Sequence, residues 1–201
     1  MSHRTKSSSA SNMLELKFVD ESTFDDFTSE WKKEIFKEHL SIYNRMIFSQ
    51  EEFQHSEGNI ERFAKLESIY CLLMLGEKCI GWHYGHQDGP MGYYMSNSAI
   101  LPEYRRKGHY SFLTKGILEE ITRRGYHKVK SRHYPTNNAV IIAKLKLGFF
   151  ISGFQLSANF GTLIELEWNA KEEIQELMHF RCGAQLPSDS SLQAIGLKRN
   201  N

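Results

Sequence analysis

Leu101-Pro102-Glu103-Tyr104-Arg105-Arg106-Lys107-Gly108-His109-Tyr110 is the stretch on which the reading of this chain turns. Before it, Met91 to Ile100 reads as a strand. After it, Tyr110, Leu113, Ile117, Leu118 and Ile121 recur at helical spacing. Three cations and a glycine therefore stand where a strand gives way to an amphipathic helix. The first amide groups of a helix have no intrahelical acceptor, and the helix dipole is positive there. Such a junction binds phosphate. Gly108 lets backbone approach an anion closely, and the cations add longer-range attraction. The plainer alternative is a solvated Arg-Arg-Lys surface beside an ordinary junction glycine.

A second segment, Asn137 to Phe149, reads as a short helix that ends at Gly148 and passes into a strand. Together the two segments resemble the GNAT superfamily of acyl-CoA-dependent N-acyltransferases. Arg105-Arg106-Lys107-Gly108-His109-Tyr110 matches the Arg and first Gly of that family's Arg/Gln-x-x-Gly-x-Gly/Ala element. Tyr110 replaces its final small residue. Asn137 and Leu147-Gly148-Phe149 match the family's Asn-led helix closing on Leu-Gly-Phe. The resemblance runs from about Tyr70 to Trp168.

Size and composition fit one domain. The chain has 201 residues, enough apolar side chains for a substantial core, and a net charge of +1. That balance gives no general attraction to nucleic acid or acidic membranes. Charge is local instead: Arg105, Arg106, Lys107, Lys115, Arg123, Arg124, Lys128, Lys130 and Arg132 crowd into one stretch. It suits a small polyanion, and RNA is the weaker alternative because no RNA-binding signature accompanies it. Cys71, Cys79 and Cys182 fit no zinc spacing and read as reduced thiols, so no metal site and a cytoplasmic location are expected. No apolar run is long enough to span a membrane.

Residues 1–12 are Ser-rich and polar and read as a disordered lead-in. A single domain is expected over 13–185 and a loose tail over 186–201. The expected order is a strand at Met13–Val19, then helical stripes between Asp20 and Lys65. Strands follow at Ser68–Leu75, Cys79–His86 and Met91–Ile100. A helix comes at Gly108–Arg124, a strand at Lys128–His133 and the Asn137 helix. A hairpin, Phe150–Leu156 with Thr162–Trp168, closes the sheet, and a helix at Lys171–Phe180 comes last. The fold class is α+β, a mixed and mostly antiparallel sheet of about seven strands with helices on both faces.

The resemblance implies acetyl transfer from acetyl-CoA to a primary amine, by direct attack in a ternary complex. The pyrophosphate would rest on backbone from Arg106 to Tyr110, with Arg105, Arg106 and Lys107 adding charge. His109 is expected to face solvent. The pantetheine arm would pair with Ser98, Ala99 and Ile100 along the edge of a splayed strand. Asn137 would cap its helix and touch the cofactor. The strand Met91–Ile100 holds no carboxylate, so His133 is the expected base or water relay, with a strand-end hydrogen-bonding role as its alternative. Where the resemblance puts a tyrosine that protonates the leaving thiolate, the chain has Lys144, read as a surface lysine. Tyr134 is the substitute, or else a packing aromatic. The acceptor is expected to be a small-molecule amine, shaped by His39, Tyr43, Glu51, Glu52 and Glu57. A homodimer is what the resemblance allows. A non-catalytic CoA-binding module of the same fold is the alternative function.

Overall fold

A computed structural model describes residues 13–36, 51, 58, 59, 61, 62, 65–157, 160–181, 183 and 186–197. The lead-in 1–12, His39, Tyr43, Glu52, Glu57 and Cys182 lie outside the described residues, as do Leu40, Ile60, Phe63, Ala64 and Asn159.

Seven strands form one sheet: β1 (Leu14–Val19), β2 (Ser68–Leu75), β3 (Lys78–Gln87), β4 (Gly92–Ile100), β5 (Lys128–His133), β6 (Phe150–Ser157) and β7 (Gly161–Asn169). Their spatial order is β1-β2-β3-β4-β5-β7-β6. Every neighbouring pair is antiparallel except β4 with β5. The helices are α1 (Glu21–Ile35), α2 (His109–Arg123), α3 (Asn138–Leu145), α4 (Glu172–Arg181) and α5 (Asp189–Ala194). The mixed, mostly antiparallel sheet expected from the sequence is the sheet observed.

Both faces of the sheet are covered, for a reason visible in its strands. In β3 the register with β2 shifts between Cys79 and Gly81, leaving Ile80 as an extra residue, so Ile80 and Trp82 are both fully buried but belong to different clusters, one on each side. On one side Leu113, Ile117 and Ile121 of α2 and Ile141 of α3 pack on Ile69, Cys71, Met95 and Val129. On the other, Phe24 of α1 packs with Leu72, Trp82, Ala99 and Leu101. Asp20 begins α1 by accepting the Thr23 amide at 2.8 Å.

The stretch read as a loose tail contains α5. Ser188 accepts the Ser191 amide, while the Glu176 carboxylate of α4 takes the Ser188 amide at 2.9 Å and the Ser191 hydroxyl at 2.6 Å. Those bonds hold the Glu176 carboxyl down at about 2. A serine cap three residues before a helical serine is a local signal that composition alone obscures.

The sheet's decisive irregularity lies in β4. Tyr84 pairs with Asn97, but His86 pairs with Tyr94, so β4 carries one more residue than β3 between those points. This bulge bends β4 where its pairing with β5 stops. Only Gly92, Tyr93 and Tyr94 pair with β5, opposite Lys128, Val129 and Lys130. From Met95 and Ser131 onward the two strands part, leaving a wedge that opens toward Ile100 and His133. Gly85 makes the bulge sterically feasible. A Cβ there would stand 2.5 Å from the Tyr93 hydroxyl.

Candidate functional site

The mouth of the wedge leads directly to the start of α2. Leu101 is fixed to β3 by the hydrogen bond its backbone N–H donates to the Ile80 carbonyl, and Pro102–Tyr104 make one 3-10 turn. Arg106 and Gly108 then both take positive φ, 61° and 82°. Alternation of backbone hand turns neighbouring amide groups toward a common concavity. Gly108 is the N-cap residue of α2, and no side chain caps that end. The first helical bond runs from the Phe112 amide to the Gly108 carbonyl. A Cβ at Gly108 would meet nothing within 4 Å, so the space in front of the helix is open. Uncapped amides, a positive dipole and open space together make an anion cradle.

The cations around it hold different posts. Arg105 is not a free counter-charge. Its Nε donates to the Ile100 carbonyl at 2.9 Å, tying the turn to the end of β4. Lys107 Nζ reaches the Glu103 carbonyl at 3.3 Å and lies over the Tyr104 ring. His109 does not face solvent as expected. It is half-buried, and its Nδ1 meets the Tyr104 carbonyl at 3.1 Å, so it locks the turn. Tyr110 turns its ring into the core on the α2 side, and burial pushes its phenol well above the ordinary range. The family's small residue is replaced here without a ring entering the cradle.

The basic stretch is largely neutralised elsewhere. Arg123 and Arg124 pair with Glu120, Arg124 also with Glu67, Lys128 with Glu167, and Lys130 and Arg132 with Glu165. Among the described residues, Arg105, Arg106 and Lys107 have no carboxylate partner. Of that stretch, Lys115 on α2 is likewise without a carboxylate partner among the described residues, so the unpaired cations are those at the cradle and this one.

Ser98, Ala99 and Ile100 lie on the open edge of β4. Among the described residues, no strand pairs with the β5-facing side of Met95 to Ile100. Ala99 is buried toward α1, and Ser98 faces the α2 side, where its Oγ meets His83 Nδ1 at 2.8 Å. Asn137 precedes α3 with ψ 56° and makes no side-chain cap, contrary to expectation. The extended backbone that a capping side chain needs is missing. Its exposed amide side chain is thus left for other partners. Tyr134 is half-buried past the end of β5, and its carbonyl accepts the Asn137 amide at 2.9 Å.

A buried polar group on the α2 side of the sheet was missed by the sequence reading. His83 is fully buried and bridges two hydroxyls, Ser98 Oγ at Nδ1 and Tyr93 Oη at Nε2, the latter 3.0 Å away. His133 Nε2 meets Ser131 Oγ at 3.1 Å. Burial, with the nearby Lys144 ammonium, drives both imidazoles down to about 3. Both are therefore neutral at neutral pH. Such a value makes His133 a poor proton acceptor and suits it to relaying a hydrogen bond. The unfolded chain protonates these rings near pH 6.5, and the folded chain only near 3. Stability measured by urea unfolding should therefore fall as pH drops from 6.5 toward 3, and His133→Leu should remove part of that fall. A curve of unchanged slope in the variant would contradict the burial of this ring.

Lys144 corrects a second expectation. It is not a surface residue: its side chain is 1% exposed. Nζ lies 3.5 Å from Met95 Sδ and 4.9 Å from the centre of the Phe149 ring. No carboxylate pairs with it among the described residues, and burial lowers it from 10.5 to about 7. The sequence did hold a signal. Lys144 follows buried Ile141 by three residues and so shares its helix face.

Cys71 and Cys79 are free thiols raised by burial to about 12 and 11, too high to react at neutral pH. Among the described residues, no cluster of three or more His, Cys, Asp or Glu could hold a metal, and no helix is long and apolar enough to cross a membrane. An open depression of about 650 Å³ beside Lys115, Leu118, Glu119, Thr122, Arg123, Leu147 and Trp168 follows the other end of α2, away from the cradle.

Several solved structures share this fold. A GNAT-family acetyltransferase from Streptococcus pneumoniae superimposes with a TM-score of 0.58 at 15% identity, over 79% of this chain and 100% of that one. A Bacillus subtilis acetyltransferase in complex with CoA gives 0.54 at 13% identity, over 79% and 100%. The ribosomal-protein-S18-alanine N-acetyltransferase of Escherichia coli gives 0.54 at 15%, over 80% and 97%. No curated protein matches the sequence. The family model for GNAT acetyltransferases matches residues 22–149, well over half of the 201. With the wedge and the cradle in the places that the motifs led one to expect, this chain belongs to the GNAT acetyltransferase family.

Proposed function

We propose that the protein is an acetyl-CoA-dependent N-acetyltransferase that acts on a primary amine of a small molecule by direct attack in a ternary complex. The observation that carries this reading is the continuity of two features. An uncapped helix start at Gly108 adjoins a wedge whose β4 edge is unpaired from Met95 to Ile100. A diphosphate on the first lets an amide-rich arm lie as an extra strand along the second. Arg106 and Lys107 add charge to the diphosphate, and the backbone of Ser98 and Ala99 pairs with the arm. Asn137 meets the donor from the far side, through the side chain that α3 leaves uncapped. His133 relays the amine proton as a neutral imidazole, and Tyr134 lines the opening beside it. Orientation of an already neutral amine against the thioester supplies much of the rate.

Isothermal titration with acetyl-CoA, followed by a thiol-release assay over a panel of amines, tests this reading. Binding and amine-dependent thiol release are expected. Binding with no release from any amine would favour a CoA-binding sensor of the same fold, a reading motivated by the lack of a carboxylate on β4. Absence of binding would defeat both.

A further inference from the structure

Lys144 is a buried lysine at the narrow end of the wedge, and among the described residues no carboxylate pairs with it. Its ammonium touches Met95, the first β4 residue beyond the last β4–β5 pair. Five residues separate Met95 from Ile100 at the mouth, roughly 17 Å of extended strand. That is comparable with an extended pantetheine arm. A donor whose diphosphate sits at Gly108 therefore brings its sulfur to the Met95 end. The groups around Nζ are all neutral or soft. They include Met95 of β4 and the Phe149 ring just past α3 in contact, and the imidazoles of His83 on β3 and His133 on β5, which feel the Lys144 charge. One N–H thus donates to the Met95 thioether and the ammonium lies over the Phe149 ring; among the described residues Nζ has no oxygen or nitrogen acceptor.

We propose that Lys144 is the proton donor to the departing thiolate of the acyl donor. This rests on the reading of the wedge as an acetyl-CoA site. In the step, the acceptor amine attacks the thioester carbonyl and forms the C–N bond of a tetrahedral intermediate, whose collapse restores the C=O bond and breaks the C–S bond. The electron pair goes to sulfur, and the Lys144 ammonium gives that sulfur a proton. Lys144 becomes a neutral amine and regains a proton from the acceptor nitrogen, through His133 or solvent. The environment favours the direction of transfer. An amine held near 7 is a stronger acid than a thiol of ordinary pKa, about 8.5, and its neutral form fits the apolar surroundings.

Free CoA tests this without knowledge of the acceptor. The ultraviolet absorbance of its thiolate is followed against pH while bound to the wild type, to Lys144→Met and to Lys144→Gln, with thermal melts confirming folded protein. Thiolate should begin to appear at lower pH in the wild type than in either variant, because below about pH 7 Lys144 still carries its proton and an ammonium beside the sulfur favours thiolate. Titrations that coincide, with CoA bound to all three proteins, would overturn the assignment of Lys144 and leave the binding reading intact. CoA that binds none of the proteins would overturn the reading of the wedge, and this assignment with it. Where an acceptor amine is found, Lys144→Met should lower kcat with little change in KM for acetyl-CoA. It should also abolish the fall in kcat above neutral pH, which a purely structural lysine would not do.

Discussion

Gly108→Trp should abolish detectable acetyl-CoA binding while leaving a folded protein. Gly108 sits at φ 82° with open space where a side chain would begin. A Cβ there meets nothing of the chain within 4 Å, so the steric effect of a larger side chain is expected on whatever occupies the cradle. The backbone conformation itself costs a non-glycine residue about 1–2 kcal/mol. For a chain of this size that lowers Tm by only a few degrees. Binding suffers far more. A diphosphate accepting from several backbone amides makes charge-assisted bonds of about 1.5–3 kcal/mol each. Losing two or three of them weakens affinity by roughly a hundredfold or more. Gly125, just past the other end of α2, provides the control. It has φ 89° and also meets nothing within 4 Å. Gly125→Trp should lower Tm by a similar amount and leave titration with acetyl-CoA unchanged. Equal affinity in Gly108→Trp and wild type would remove the diphosphate from the start of α2.

Lys144→Met should stabilise the protein at neutral pH, and the advantage should vanish as pH rises. In the unfolded chain the ammonium loses its proton near 10.4, and in the folded chain near 7. Below pH 7 both states are charged, and folding bears the full cost of burying the cation. Between 7 and 10.4 the unfolded state holds the proton and the folded state does not. Wild-type stability therefore climbs with pH over that window. The difference is at most on the order of 5 kcal/mol, an upper bound because burial relaxes around charges. Methionine has similar length and no charge to bury, so it lacks this slope. Thermal melts of both proteins from pH 6 to 10 should show a Tm gap that is widest near pH 6–7 and closed by about 10. A gap independent of pH would mean that Nζ reaches water. The stability lost by keeping a lysine here is what a group retained for function looks like, as opposed to one retained for packing.

Much of the site was legible because its parts are local. Gly108 after Arg105-Arg106-Lys107, and Gly148 between Leu147 and Phe149, mark turns whose chemistry depends on neighbours in sequence. What was misread depends on contacts across the fold. His109 looked like a surface histidine because its partner, the Tyr104 carbonyl, is positioned only by the 3-10 turn. Asn137 looked like a cap because Asn before a helix usually is one, but its ψ of 56° is set by the turn from β5. His83 went unnoticed in a strand of aromatic and apolar residues. Its importance comes from Ser98 and Tyr93, 15 and 10 residues away.

The strands, the helices, their order and the strand-to-helix junction at Gly108 can be read from the amino acids alone, since periodicity and turn chemistry act over a few residues. Where β4 leaves β5 emerges only in the folded sheet, because a bulge is a mismatch between two strands and exists in neither alone. The burial of Lys144 without a carboxylate partner among the described residues is likewise a property of the fold. Desolvation is set by atoms from β4, β5 and the start of β6 converging on one amine, and no stretch of a single segment encodes that.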